Sequence, residues 1–323
     1  MKPVIYSTHA LHADAMAVIG DAATLNVASA LDADTLAREG RGCDAVIVRA
    51  PLPDALFADG TKLKCAVRHG AGVDMIPIAA CSRAGVLVAN VPGANAATVA
   101  EHVLMTAMML LRCHRMVDHD LRNRGWLAGR EHSLVGRDLR GRTMGIVGMG
   151  AVGRAITAAA QGFGLKPVGH SPSGRGFPPG VQSLPLDALA AESDILVLCC
   201  PLKPETRGLI DARRLGLLKP GGLLINVARG PVAVEADVIA ALRSGHLAGA
   251  ALDVFDTQPL PPDHLYFAMP NVIITPHMAG ITDESMARMG SGAAQEVLRV
   301  LAGDMPQNLV NPEALPAHRR RFG

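Results

Sequence analysis

Charge of one sign is what this chain most plainly lacks. Its 31 Lys and Arg stand against 29 Asp and Glu, a formal net charge of +2, which gives no electrostatic footing for a nucleic-acid partner. The short run His318-Arg319-Arg320-Arg321 reads as a solvated, frayed end rather than a binding arm. Long hydrophobic runs are missing too, so no segment is expected to span a membrane. The opening residues Met1-Lys2-Pro3-Val4-Ile5-Tyr6 are expected to begin a strand rather than a leader, because His9, His12 and Asp14 interrupt any apolar stretch. Six cysteines (Cys43, Cys65, Cys81, Cys113, Cys199, Cys200) occur without C-x-x-C spacing, mostly in apolar surroundings. That usage argues for buried thiols in a reducing cytoplasm and against a disulfide framework. No cluster of His, Cys and Asp has metal-ligand spacing, so no metal is expected. There is no solenoid repeat, and the one biased segment is the Pro/Gly/Ser-rich loop at residues 171–180.

With 323 residues, 49% apolar and 19% charged, the chain has the make-up of a globular protein long enough for two cores. Its centre is Thr143-Met144-Gly145-Ile146-Val147-Gly148-Met149-Gly150-Ala151-Val152-Gly153-Arg154. A short apolar run ends in Gly148-x-Gly150-x-x-Gly153, and a helix is expected over residues 155–162. This is the strand, turn and helix start that cradle a dinucleotide pyrophosphate. Gly148 allows the turn, Gly150 lets the backbone approach the phosphates, and Gly153 lets the helix pack close to the strand. The amides of Met149, Gly150, Ala151 and Val152 then face the anion at a helix N-terminus.

On both sides of this motif short β-rich runs alternate with helical segments. Before it, strands are expected at residues 4–6, 24–27, 45–48, 65–67 and 86–89, with helices near 10–19, 33–40, 53–58 and 76–84. After it, strands are expected at 167–169, 195–199, 222–227, 249–252 and 272–275. Such alternation means parallel sheets covered by helices. One long helix over residues 94–115 is expected to join two doubly wound units, and an amphipathic helix over residues 281–303 could belong to either.

In open parallel sheets ligands bind beyond the carboxyl ends of the strands. Arg229 lies just past one expected strand, Asp253 and Gln258 past the next, and His277 past the one after. A guanidinium can hold a carboxylate and polarise an adjacent carbonyl. A histidine can give or take a hydroxyl proton near neutral pH. A nicotinamide would carry the hydride.

These residues, with Arg68-His69-Gly70-Ala71-Gly72-Val73-Asp74, Asn95 to His102, Asn226 to Pro231, Ala251 to Pro261 and Thr275 to Gly280, make the chain resemble the D-isomer-specific 2-hydroxyacid dehydrogenases over nearly its whole length. The resemblance implies a flavodoxin-like substrate-binding domain from residues 1–94 and 283–323, with a Rossmann dinucleotide-binding domain at 95–282 inserted in it. It also implies a homodimer through the nucleotide domain and an active site in the interdomain cleft. By position, Arg229 would bind the 2-oxo acid and His277 would be the acid/base. Asp253 would meet the nicotinamide amide, and Ala71 and Gly72 the substrate carboxylate. Asn95 is a further expected substrate contact. Thr98, Cys200, Pro201, Thr206, Val227, Ala228 and Gly280 are further expected cofactor contacts.

Two departures stand out. Most members of this family carry a glutamate where this chain has Gln258, and that carboxylate keeps the histidine protonated. Gln258 can orient His277 but supplies no charge, so His277 is expected to lose its proton at lower pH. Formate dehydrogenases of the superfamily share the glutamine, which keeps formate-like hydride transfer open, although their longer N-terminal region has no counterpart here. Asp256 is the other carboxylate at hand. The second departure follows the second nucleotide-domain strand, where Val168-Gly169-His170-Ser171-Pro172-Ser173-Gly174-Arg175 offers no acidic residue for the ribose hydroxyls of NAD. Ser171, Ser173 and Arg175 are instead suited to a 2′-phosphate, so NADP is expected over NAD, unless Arg175 is merely solvated and NAD binds without the carboxylate.

Arg49 and Arg68 match positions that contact the substrate's distal end in phosphoglycerate dehydrogenases, which suggests a second polar or anionic group on the substrate, unless they are simply a surface arginine and a structural one. The regulatory extension many of those enzymes carry has no counterpart, and hydroxypyruvate or glyoxylate reduction is the default expectation. His69, His102 and Trp126 could shape the pocket or serve packing. The contrasting expectation is a dinucleotide-sensing binding protein like the corepressors that share this fold. Retention of Arg229 and His277 speaks for the enzyme.

Overall fold

A computed structural model describes residues 1–58 and 60–323. The chain forms two compact units: Met1–Asn95 with Ile281–Gly323, and Ala96–Gly280.

The first unit opens with β1 (Val4–Ser7), α1 (Ala13–Ile19), β2 (Thr24–Val27), α2 (Ala33–Gly40), β3 (Ala45–Val48), β4 (Cys65–Arg68), α3 (Ile78–Arg83) and β5 (Leu87–Ala89). The strands form one parallel sheet ordered β2-β1-β3-β4-β5, the flavodoxin-like order. β3 is buried along its whole length, which is why Ala-Val-Ile-Val reads as an unbroken apolar run. Asp32 starts α2 by accepting from the Thr35 amide at 2.9 Å. The helix expected near residues 53–58 is only a 3-10 turn at Asp54–Phe57.

The second unit follows with α4 (Ala96–Leu111), α5 (His114–Arg124), α6 (Trp126–Glu131), β6 (Thr143–Val147), α7 (Ala151–Gly162), β7 (Lys166–His170), β8 (Gln182–Ser183), α8 (Leu186–Glu192), β9 (Ile195–Leu198), α9 (Ala212–Leu217), β10 (Gly222–Asn226), α10 (Glu235–Arg243), β11 (Leu247–Leu252) and β12 (Val272–Ile274). Its seven-stranded parallel sheet has the order β12-β11-β10-β9-β6-β7-β8. That is the Rossmann order with an added strand, reversing between β6 and β9. One expectation is corrected here. The helix expected over residues 94–115 ends at Leu111, and Cys113, at φ 52°, turns the chain left-handed before α5. The burial changes with it: α4 is packed through Val99, Ala100, Val103, Leu104, Ala107 and Leu111, whereas α5 has no buried residue. No single helix among the described residues is long and apolar enough to cross a membrane.

The chain returns to the first unit with α11 (Asp283–Leu301) and α12 (Leu315–Phe322). Thr282 and Ser285 form a reciprocal capping box at the start of α11. Ala293, Ala294, Val297 and Val300 then pack against Ile5, Ile47, Cys65 and Val67 of the sheet. The amphipathic helix near residues 281–303 therefore belongs to this unit. The basic end is also corrected: it is not frayed but forms α12. His318 Nδ1 lies 2.9 Å from the Gly85 carbonyl, and Arg321 donates to the carbonyls of Ala84 and Thr61. All six cysteines are free thiols.

Asn311, fully buried, completes the edge of β5 with its side chain. Its Oδ1 accepts from the Val88 amide at 2.7 Å, and its Nδ2 donates to the Val86 carbonyl and the Ser82 hydroxyl at 3.0 Å each. Asn311→Ala would orphan these groups, at about 1–3 kcal/mol for each buried one left unpaired. Urea unfolding should show a loss of about 2–4 kcal/mol with dinucleotide affinity unchanged. A loss below about 0.5 kcal/mol, the usual range for a surface substitution, would mean water replaces the amide.

Candidate active site

Because the strands of the second unit all run the same way, their carboxyl ends share one edge. Read across the sheet, β12 delivers Thr275 and His277, β11 delivers Asp253 and Gln258, and β10 delivers Arg229. Next, β9 delivers Cys200, β6 the glycine turn, and β7 Ser171. Residues some fifty positions apart in sequence, such as Gly148 and Cys200, thus become neighbours by strand order.

The glycine turn tests whether a dinucleotide fits. Gly148 sits at φ 106°, and a Cβ there would meet the Cys200 backbone nitrogen at 2.8 Å. A Cβ on Gly153 would lie 2.0 Å from the Gly148 carbonyl oxygen, whereas one on Gly150 meets nothing within 4 Å. Two glycines are therefore required by packing, while the third faces open space where a phosphate can approach. Gly150 is the N-cap of α7 and no side chain caps that end, so its first-turn amides remain for an anion. The residues present fit a dinucleotide.

Arg229 is half-buried. Asn226, buried at the end of β10, shapes the turn that carries it: Oδ1 accepts from the Ala228 amide at 3.0 Å and Nδ2 donates to the Arg229 carbonyl at 3.1 Å. Arg229 Nη1 donates to the Ala228 carbonyl at 2.6 Å. Gly230 presses on the loop after β11, where a Cβ would fall 2.1 Å from the Phe255 carbonyl carbon. The arginine loop and the loop bearing Gln258 are thereby packed backbone to backbone.

His277 is exposed, and its Nδ1 lies 3.0 Å from Gln258 Oε1. Gln258 Nε2 donates to the Phe255 carbonyl at 3.3 Å, which turns the amide oxygen toward the imidazole. An amide oxygen only accepts, so Nδ1 carries the hydrogen and Nε2 is the ring nitrogen that can accept or release a proton. Asp253 is buried, and its carboxylate is engaged by Thr275, Met278 and Ala279. His102, on α4, is held below its ordinary pKa by burial, which outweighs the opposing charge of Asp253. The thiols of Cys199 and Cys200 are both pushed up by burial, that of Cys200 to about 11.

The expected cofactor contacts divide. Val227 and Ala228 lie in the arginine turn, Gly280 follows the histidine loop, and Thr98 is buried in α4. Thr206 spends its hydroxyl inside its own loop, donating to the carbonyl of Pro201 at 2.8 Å and accepting from the Lys203 amide at 2.7 Å. After β7, the hydroxyls of Ser171 and Ser173 lie 3.1 Å apart and the Arg175 amide donates to Ser173 Oγ at 3.3 Å. Sequence reasoning missed Arg154. Its Nη1 donates to the Met149 carbonyl at 3.1 Å and lies 3.6 Å from where a Cβ on Gly176 would be. It therefore adds a second guanidinium beside the Arg175 loop.

In the first unit, the loop of Gly70, Ala71 and Gly72 follows β4. Arg68 braces it, donating from Nε to the Gly72 carbonyl at 3.0 Å and from Nη1 to the carbonyls of Val48 and His69 at 2.8 and 2.6 Å. Asn90 Nδ2 donates to the Ala71 carbonyl at 2.6 Å, a contact with no sequence signal. Arg49 Nη1 donates to the Ala10 carbonyl at 3.1 Å. His69 is buried and pushed down to about 4, first by burial and then by the Arg49 charge. His9 is lowered by burial and by both arginines. Asn95 ends this unit's first segment and is half-buried.

A glycine cradle that fits a dinucleotide, an arginine and an amide-held histidine along one sheet edge define an α/β protein of the Rossmann class. Residues 104–279 match the family model for the D-isomer specific 2-hydroxyacid dehydrogenase, NAD binding domain, and the chain belongs to that family. It is 34% identical over 314 residues to D-3-phosphoglycerate dehydrogenase of Mycobacterium tuberculosis, covering 96% of this chain and 59% of the relative. It therefore spans about six tenths of the length of the phosphoglycerate dehydrogenases it matches. It is 33% identical to glyoxylate reductase of Korarchaeum cryptofilum over 85% of each chain. Among solved structures it resembles the NADPH-dependent glyoxylate/hydroxypyruvate reductase of Sinorhizobium meliloti in complex with NADP and malonate, with a TM-score of 0.85 and 27% identity, covering 97% and 98% of the two chains.

The glycines give a paired prediction. Gly150→Ala has room in the fold, so its melting temperature should match wild type while dinucleotide affinity falls by about tenfold or more, the worth of one lost charge-assisted contact. Gly153→Ala should lose both stability and affinity. Dinucleotide titration beside thermal melting checks this, and equal affinity for Gly150→Ala and wild type would remove the pyrophosphate from this turn.

Proposed function

We propose that the chain is an NAD(P)-dependent oxidoreductase moving a hydride between nicotinamide and a small 2-hydroxy/2-oxo acid, of the hydroxypyruvate or glyoxylate reductase kind. What carries the reading is the series Arg229, Gln258 and His277, delivered by the adjacent strands β10, β11 and β12 at the edge that also holds the glycine cradle. When bound, the nicotinamide supplies or receives the hydride. Arg229 holds the oxo acid by its carboxylate and polarises the carbonyl. His277 Nε2 gives a proton to the oxygen during reduction and takes it back during oxidation, while Gln258 fixes the ring through Nδ1. We assign the substrate carboxylate to the amides of Ala71 and Gly72, which donate to no protein acceptor among the described residues. Arg49 forms no ion pair with a carboxylate among them, and with His9 nearby it favours a substrate bearing a second anionic group.

The cofactor we favour is NADP, held at its 2′-phosphate by Ser171, Ser173 and Arg175 with Arg154 adding charge. The similar reductase from S. meliloti is NADPH-dependent. A cytoplasmic homodimer is the assembly we propose, through α5, α6 and the turn that follows them, where Leu121, Trp126, Leu127, Leu134 and Val135 stand exposed. Exposed large apolar side chains close together in the chain are the kind of surface a protein partner covers.

Nicotinamide absorbance with glyoxylate, hydroxypyruvate, pyruvate, oxaloacetate and a phosphorylated three-carbon acid tests the activity, with formate in the oxidising direction. Turnover on one oxo acid, at about 1–1,000 per second, and a loss of at least about 100-fold in Arg229→Gln are expected. Dinucleotide binding with no turnover on any of them would point to a sensor instead. Reduction should fall as pH rises, because the imidazolium is the acid. Gln258→Glu should move that limb to higher pH, since a carboxylate favours the charged ring; an unmoved limb would detach Gln258 from proton transfer. Arg175→Ala should cut the preference for NADPH over NADH by about tenfold, one exposed charge-assisted contact. An unchanged ratio would leave Arg175 as a solvated residue.

A further inference from the structure

Gly169 is buried in β7, paired with Ile146 of β6, and leaves a notch in the sheet beside the glycine turn. Two side chains fill that notch: a Cβ on Gly169 would fall 2.3 Å from Met149 Cε and 2.8 Å from Phe177 Cε1. Met149 stands between the first two glycines of the turn and is buried. Phe177 arrives from the other side, at the end of the loop that leaves β7 with Ser171, Ser173 and Arg175, and packs against the core formed by Met149, Ile146 and Ile156. Between β7 and Phe177 the chain has little else to fix its shape. Gly174 and Gly176 flank Arg175 at φ 62° and 85°, and glycine loses more freedom on ordering than any other residue. The bonds within the loop are that of the Gly174 amide to the Ser171 carbonyl at 3.0 Å and those of the Ser173 hydroxyl. With Phe177 seated, Gly176 lies against the glycine turn: a Cβ there would be 3.1 Å from the Met149 carbonyl oxygen and 3.6 Å from Arg154 Nη1. That carbonyl also accepts from Arg154 Nη1 at 3.1 Å. One ring in one notch thus sets the Arg175 loop beside the guanidinium of Arg154.

We infer that Phe177 is a positioning residue for cofactor selection: seated on Gly169 and Met149, it holds residues 171–176 beside Arg154, so that a 2′-phosphate meets a site already formed. This rests on reading the loop after β7 as the 2′-phosphate site. In this role the ring touches no part of the dinucleotide. A ligand that needs the loop binds more weakly in proportion to the fraction of molecules in which the loop is formed. NADPH needs it, whereas NADH, without the phosphate, relies on the glycine turn.

Phe177→Ala and Phe177→Leu test this in the full chain, alone and added to a variant carrying Arg154→Ala and Arg175→Ala together. Alanine empties the notch and leucine refills most of it. With the loop formed about one tenth of the time once the ring is gone, the NADPH dissociation constant from fluorescence titration should rise about tenfold. The NADH constant should stay within about threefold, because its binding does not draw on the loop. Phe177→Leu should recover most of the NADPH affinity. Where both arginines are already absent, Phe177→Ala should weaken NADPH by less than about threefold, since residues that act through one another are not additive. Trypsin cleavage after Arg175 follows opening of the loop and should speed up about tenfold in Phe177→Ala but not in Phe177→Leu. An unchanged NADPH affinity in Phe177→Ala, an equal loss for NADPH and NADH, or an undiminished loss where both arginines are absent overturns the inference and leaves Phe177 to packing alone. If the wild-type chain binds NADH as tightly as NADPH, the 2′-phosphate reading fails by itself while cleavage still decides the anchor: an unchanged rate in Phe177→Ala overturns it.

Discussion

Helix α7 can rest on the end of β6 only because no side chain stands between them. The contact of Gly153 with the Gly148 carbonyl, and of Gly148 with the backbone of Cys200, brings α7, β6 and β9 to one point where the strand order reverses. A methyl group at either position would push the helix away and turn its first amides from the place a phosphate occupies. From that fixed point the sheet extends by parallel strands, and each further strand adds a polar loop to the same edge. The arginine, the glutamine and the histidine need no direct instruction to meet. They are brought together by the register of β10, β11 and β12.

Much of this arrangement could be read beforehand, and for a physical reason. Buried parallel strands announce themselves as short runs such as Ala45-Val46-Ile47-Val48 or Ile195-Leu196-Val197-Leu198, and the glycine spacing is demanded by contacts no other residue tolerates. A residue just past such a run, like Arg229 or His277, is therefore placed at the ligand edge with little freedom. The break at Cys113 was illegible, because Arg112-Cys113-His114-Arg115 has no glycine or proline and is as compatible with helix as what precedes it. The basic tail misled in the opposite sense: its charges suggest solvent, yet His318 and Arg321 find backbone carbonyls. Asn90 was invisible as a site-shaping residue, since its hydrogen bond to Ala71 joins separate loops whose relative placement composition does not encode; the bonds of Asn226 and Arg154 are local, but depend on turn geometry that residue type alone does not give.

Gln258 shows why a single atom matters at such an edge. Its NH2 donates to the Phe255 carbonyl while its oxygen faces His277. A carboxylate in the same place would set a negative oxygen against that carbonyl. The amide thus suits a loop in which backbone and imidazole must both be served, and it gives up the electrostatic support a carboxylate lends to a protonated ring. The family's usual residue and this one are alternative answers to where the proton's stability should come from.

The buried amide of Asn311 and the packed face of α11 bear on how the chain acquires its shape during synthesis. The dinucleotide unit is one continuous stretch, Ala96–Gly280, and holds all seven of its strands before α11 is made. The first unit's strands emerge earlier, but the helix that covers Ile5, Ile47, Cys65 and Val67 and the side chain that completes β5 are translated last. On a ribosome, where domains form as units, the inserted unit can close while its host still waits with an apolar sheet face uncovered. The older half of the polypeptide is then the younger half of the fold.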